Sequence, residues 1–347
     1  MDNIQSYAPL LELLDRPAFL VEKGIIILAN RAAQQKALAT GEPVTKYVKD
    51  IQAYDDFRDG CLYLTLSIGG LLAQASLTNV DRFQLFVIED HVEPQLKALC
   101  LAAQQLRGPM NDLFLAADQM DDRKLGGVML QRLNKLHRTV CNMADAFSFY
   151  RQQLMNPETT DLNSFIYEVI EKAATLLESS GIALNYTALP QTAVGLVDRQ
   201  MLERAIFNLI SNAVKFSDSK HPIEAKLTRK ENTLYFTVQD SGEGIPTQVQ
   251  HNLFSRYLRD PGIEDSRHGV GLGLSMVRST ALAHGGTVLV DHPEGIGTRV
   301  TLTLNLAPAQ GDQLRSPVVF PGIDYAGGHD HGLLELSDVL SSTMYKK

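Results

Sequence analysis

The ten residues NLISNAVKFS, Asn208 to Ser217, carry the reading of this chain. Asn208 and Asn212 are four residues apart and share one face of a helix, with Lys215 one turn further along. An amide oxygen and an ammonium therefore stand side by side. Magnesium bound to a triphosphate takes oxygen ligands in octahedral geometry and needs few protein groups, so Asn212 with phosphate oxygens and water makes a suitable shell. Two asparagines on a solvated helix face would look the same in isolation.

Three further runs follow in order. LYFTVQDSGEGIP is a strand ending at Asp240 and a turn with Gly242 and Gly244. A carboxylate at a strand end can accept the exocyclic amine of adenine, and glycines let the base approach the backbone. GVGLGLS (Gly269, Gly271, Gly273, Leu274) leads into a helix, where open backbone N–H groups meet phosphate. It is neither a dinucleotide GxGxxG nor a P-loop. GIGTRVTLTL then places Thr298 at the head of a strand.

Around these runs, residues 157–307 read as one α/β sandwich domain. Its helices are expected at Leu162–Ser179, Arg199–Lys215 and Ser275–His284, and its strands at Ala183–Thr187, Ile223–Thr228, Thr233–Val238, Gly286–Asp291 and Thr298–Leu306. Residues 91–156 carry two apolar seams in alternating steps of three and four. The first runs through Leu96, Leu99, Ala103, Leu106, Met110, Leu113, Ala117 and Met120, and the second through Met129, Leu133, Leu136, Val140, Met143, Phe147, Tyr150 and Leu154. A loop containing Gly126-Gly127 would join them into an antiparallel hairpin. Apolar area left over on both arms predicts a homodimer through a four-helix bundle. Residues 1–90 read as a small α+β domain with Asn30 capping a helix, and residues 308–347 as a polar linker with a short amphipathic helix.

The 347 residues exceed one small module, and 44% apolar with 21% charged residues is a globular balance. A net charge of −8 speaks against nucleic-acid binding through phosphates. No apolar stretch approaches the length of a membrane span, and Met1-Asp2-Asn3 lacks a basic signal start, so a cytoplasmic location is expected. Three scattered cysteines suggest neither a disulfide framework nor a zinc site.

Together the four runs resemble the N, G1, G2 and GT boxes of the GHKL superfamily, whose ATP-binding domain has the Bergerat fold, with NLFSRYLR (Asn252–Arg259) resembling its F box. The hairpin in front resembles the dimerisation and phosphotransfer domain of sensor histidine kinases, and GIIILANRAA (Gly24–Ala33) resembles a PAS sensor. The resemblance implies ATP and Mg²⁺ as cofactors, nucleotide contacts from Asn208, Asn212, Lys215, Asp240, Gly242, Gly244, Gly269, Gly271, Gly273, Leu274 and Thr298, and metal binding by Asn212. It also implies phosphate relay to a response-regulator receiver domain, with a partner kinase as the other candidate partner. Chaperone and topoisomerase members of the superfamily place a glutamate where this chain has Asn208.

One departure matters. The family carries His-Glu-Leu-Arg-Thr-Pro-Leu on the first hairpin helix, where this chain reads Gln104-Gln105-Leu106-Arg107-Gly108-Pro109-Met110. Gln104 and Gln105 fall at solvent-facing positions, but an amide has no basic lone pair to take phosphate. Self-phosphorylation is expected to fail, which points to a pseudokinase. The alternative is an active kinase acting on a partner's histidine, or on His137, which lies roughly 10 Å further along the hairpin. His329-Asp330-His331 has metal-ligand spacing, against which stands a solvated turn.

Overall fold

The computed structural model describes residues 6–14, 16–88, 94–151, 156–217, 221–245, 273–293, 297–306, 324 and 326–345. The N-terminal part consists of α1 (Tyr7–Glu12), β1 (Ala18–Glu22), β2 (Ile25–Ala29), α2 (Arg31–Gln35), α3 (Ile51–Asp56), β3 (Cys61–Ile68), β4 (Leu71–Val80) and β5 (Phe83–Ile88). Its five strands pair antiparallel in the order β2-β1-β5-β4-β3. Asn30 caps α2 by accepting the Ala33 N–H at 2.9 Å, as expected from sequence. It also accepts from Ala18 N–H and donates to the Leu11 and Arg16 carbonyls, so one buried amide ties the helix start, β1 and α1 together.

The hairpin arms are α4 (Pro94–Asp118) and α5 (Arg123–Arg151). Ala103, Met110, Phe114 and Ala117 pack against Leu130, Leu133, Val140 and Ala144. The other half of each seam stays open: Leu106, Leu113, Met129 and Leu136 are each about half exposed. The turn between the arms differs from expectation. Asp122 accepts the Leu125 N–H at 3.0 Å and its carbonyl accepts from Gly126, so the second helix begins before the glycines. Gly126 and Gly127 are buried within α5 rather than placed in the loop.

The C-terminal part holds β6 (Glu158–Asp161), α6 (Leu162–Glu178), β7 (Leu184–Thr187), β8 (Val194–Val197), α7 (Arg199–Phe216), β9 (Ile223–Lys230), β10 (Thr233–Gln239), α8 (Gly273–Ala283), β11 (Val288–Asp291), β12 (Arg299–Asn305) and α9 (His331–Glu335). Asp161 and Asp198 cap α6 and α7. The apolar faces of these helices and of α8 close over the sheet in one core with Leu227, Phe236, Val288, Leu302 and Leu304. The ribbon β6–β8 was not anticipated, and among the described residues only β7–β9 pair in parallel.

The two sheets are one. Among the described residues, β3 pairs antiparallel with β11, giving the ten-stranded order β2-β1-β5-β4-β3-β11-β12-β10-β9-β7. Side chains alternate across a strand, and β3 uses both faces. Leu62, Leu64 and Leu66 enter the N-terminal core, while Cys61 and Tyr63 enter the C-terminal one. The Arg278 guanidinium from α8 lies 5.0 Å from the Tyr63 ring.

Candidate functional site

Asp240 follows β10 and is 6% exposed. Its Oδ1 accepts the N–H of Gly242 at 2.9 Å and of Thr298 at 3.0 Å, and its own N–H donates to the Thr298 carbonyl. Burial raises its pKa and the two N–H groups work against that rise. Both of these bonds fall on Oδ1, and no hydrogen bond to Oδ2 is made among the described residues. The backbone around it admits no side chains. Gly297 sits at φ +69°, where a Cβ would meet the Asp240 carbonyl, and a Cβ on Gly242 would meet the Phe216 carbonyl. Gly244 lies against His292, whose ring spans the Gly297 and Ile245 carbonyls.

On α7, the face that carries Leu202, Ala205, Ile206 and Leu209 is buried in the core, and this orients the opposite polar residues. Asn208 is 1% exposed and its amide is fully engaged by protein. Oδ1 accepts from Arg138 Nη2 at 2.8 Å, and Nδ2 donates to the Arg204 carbonyl and to Glu335 Oε2. Lys215 forms an ion pair with Asp338, and burial beside Arg138 lowers its pKa. Asn212, half-buried, makes no side-chain hydrogen bond among the described residues. Gly273 opens α8 directly over Asn208 Oδ1, and Leu274 packs on the core. Gly269, Gly271 and the F-box-like run lie outside the described residues.

The sequence reading missed the groups that surround Asn208: Arg138, Arg204, Glu335 and Asp338. The signal available was thin, two acids three residues apart within the apolar run Leu333 to Leu340. It missed also His284, whose Nε2 accepts the Asp198 N–H while Nδ1 meets the Thr280 carbonyl, so this imidazole fixes the start of α7.

Gln104 and Gln105 are both exposed on α4. Pro109 within α4 lacks the N–H that would bond the Gln105 carbonyl, so that carbonyl is released from the helix ladder beside the two glutamines. His137 is 2% exposed, wedged between the rings of Phe114 and His329, with Nδ1 unpartnered among the described residues. Burial, then the neighbouring His329 and Arg107, push its pKa down to about 4. The expected solvated turn at His329–His331 is a packed one. His329 lies on Phe114 at 4.0 Å, whereas His331 bridges Glu203 and Asp324 at 2.6 and 2.8 Å. The two rings diverge, and no metal-holding group of three or more His, Cys, Asp or Glu occurs among the described residues.

Residues 197–308 match the family model for histidine kinase-, DNA gyrase B- and HSP90-like ATPases. Over 218 residues the chain is 28% identical to the adaptive-response sensory kinase SasA of Prochlorococcus marinus (strain SARG), which covers 61% of this chain and 57% of that relative. SasA of Parasynechococcus marenigrum (strain WH8102) is 27% identical, covering 67% and 62%. Residues 197–308 are thus similar to the ATPase domain of that family, and the chain resembles sensory kinases over about two thirds of its length. It spans about three fifths of the length of these two relatives. A crystal structure of full-length ShkA in complex with AMPPNP matches with a TM-score of 0.50 at 20% identity, over 63% of this chain and 47% of that one, a likeness of fold. The matched segment contains Asn208, Asn212, Asp240 and Thr298. No helix among the described residues is long and apolar enough to cross a membrane.

Proposed function

We propose that this chain is a cytoplasmic two-component signalling protein that binds Mg-ATP but has lost the histidine that would receive its phosphate. The buried, half-satisfied carboxylate of Asp240 carries the reading. Its Oδ2 suits the adenine amine, Gly242 and Gly297 make room for the base, and Asn212 is at hand for magnesium. When bound, Mg-ATP supplies a γ-phosphoryl group, which in this family passes to a histidine nitrogen as the bond to ADP breaks. This chain presents Gln104 and Gln105 there, exposed but without a nucleophilic ring.

The open strip of Leu106, Leu113, Met129 and Leu136 suits a second copy, completing a four-helix bundle. The five-stranded N-terminal sheet suits a PAS-like sensor, and a receiver domain or partner kinase is the expected downstream contact. A second reading, transfer to a histidine on a partner protein, leaves the nucleotide site with a use. Transfer to His137 is disfavoured by its burial between two rings.

Asp240→Ala is expected to weaken Mg-ATP binding by ~1 to 3 kcal/mol, ten- to a hundredfold, as read by calorimetry. Unchanged affinity would remove the site assignment. Gln104→His with Gln105→Glu should gain acid-labile, base-stable phosphate from labelled ATP that the wild type lacks. Acid-labile label on the wild type would instead establish an active kinase.

A further inference from the structure

We propose that residues 331–345 form an autoinhibitory clamp, in which the Glu335 and Asp338 carboxylates hold Asn208 and Lys215 in place of nucleotide phosphate and bolt helix α7 to Arg138 of the hairpin. The inference rests on the reading of α7 as the phosphate side of a Mg-ATP site.

Glu335 is 0% exposed. Its Oε2 accepts from Arg138 Nε at 2.8 Å and from Asn208 Nδ2 at 3.2 Å, and Oε1 lies 3.4 Å from Arg204 Nε. Asp338 accepts from Arg138 Nη1 at 2.9 Å, pairs with Lys215 and stands 3.9 Å from Lys135. Two tail carboxylates thus engage the polar groups of two elements, α5 and α7. The apolar side of the same segment is seated as well. Leu334 packs with Cys141 of α5, while Leu336 and Leu340 join the core under α6 and α7. Gln131 on α5 donates to the Leu340 carbonyl at 2.6 Å, and the Tyr345 hydroxyl donates to the Leu333 carbonyl.

The seat is reversible by construction. Five residues of helix are far too few to persist alone, so docking is what holds α9 in shape. A triphosphate, like the two carboxylates, presents anionic acceptor oxygens, and the Lys215 ammonium paired with Asp338 cannot serve both at once. Nucleotide and tail therefore compete. Arg138 adds a second effect, since it joins α7 to α5 and keeps the ATP-binding domain against the second hairpin arm. A domain held there is not free to swing toward position 104 on the first arm. The clamp thus lowers nucleotide affinity by the fraction of molecules in which it is closed, and restrains the domain in the same contact.

Full-length Asp338→Asn is expected to bind Mg-ATP at least about tenfold more tightly than wild type by calorimetry. Asp338 lies at the rim, so this variant keeps the fold, and Glu335→Gln provides the buried counterpart. In the wild type, Mg-ATP should speed hydrogen exchange of residues 331–345. Unchanged affinity in both variants and tail exchange unmoved by Mg-ATP, with Asp240→Ala still losing binding, would overturn the clamp and leave the site standing. No Mg-ATP binding by any form would overturn the site reading, and the clamp with it.

Discussion

Replacing Arg138 with methionine is expected to destabilise the C-terminal half by about 3–5 kcal/mol, the cost of stranding a buried carboxylate. Arg138 is 7% exposed and Glu335 is 0% exposed, so water cannot take over the lost contact. The guanidinium also serves Asp338 and Asn208, which lose a donor at the same time. Denaturant unfolding followed through the C-terminal half reads the loss. Adding Glu335→Leu to Arg138→Met should recover part of it, because the stranded charge is gone, while Arg204 still lacks its carboxylate. A shift below about 1 kcal/mol would show that the tail is not seated in solution.

Acid should loosen the same region through His137, by about 3 kcal/mol between pH 6.5 and 4. The folded chain holds this ring neutral down to about pH 4, whereas the unfolded chain protonates it near the ordinary 6.5. Above 6.5 both states are neutral and the stabilisation is complete. As pH falls, the unfolded chain gains a proton that the folded one refuses, and stability drains until the folded value is passed. His329, Arg107 and Arg204 oppose the charge and Asp324 favours it, with burial the largest contribution. His137→Leu should flatten this part of the pH profile relative to wild type, and equal slopes in the two proteins would refute the assignment. His331 has the opposite sign. Its bond to Glu203 raises its pKa, so its contribution is present in acid and fades as pH rises above 6.5.

The α/β half was legible because its signals are local. The Asp198 cap, the apolar face of α7 and the glycine turn after Asp240 each lie within a few residues of what they determine. The exposure of Gln104 and Gln105 followed from the seam in the same way. The hairpin turn was misread because two glycines outweigh one aspartate on paper, yet Asp122 supplies a cap and the glycines have a packed helix surface to occupy. The tail was opaque for another reason. Its leucines were visible as apolar, but Arg138 and Glu335 are 197 residues apart, and no spacing rule links them. The join between β3 and β11 was equally hidden, since a strand's period of two says which residues share a face and not which core each face enters.

That join sets a timetable for making the protein. Until β11 is synthesised, β3 is an edge strand with Tyr63 and Cys61 bare on one face, although the rest of its own domain is already complete. Tyr63 waits for Val288, about 225 residues later, which at typical synthesis rates is roughly 11 to 45 s of exposure. An uncovered, apolar edge is a template for strands of other chains. The nascent N-terminal half is therefore sticky for as long as the C-terminal half is unfinished, and crowding of ribosomes on one message would join neighbouring copies at that edge.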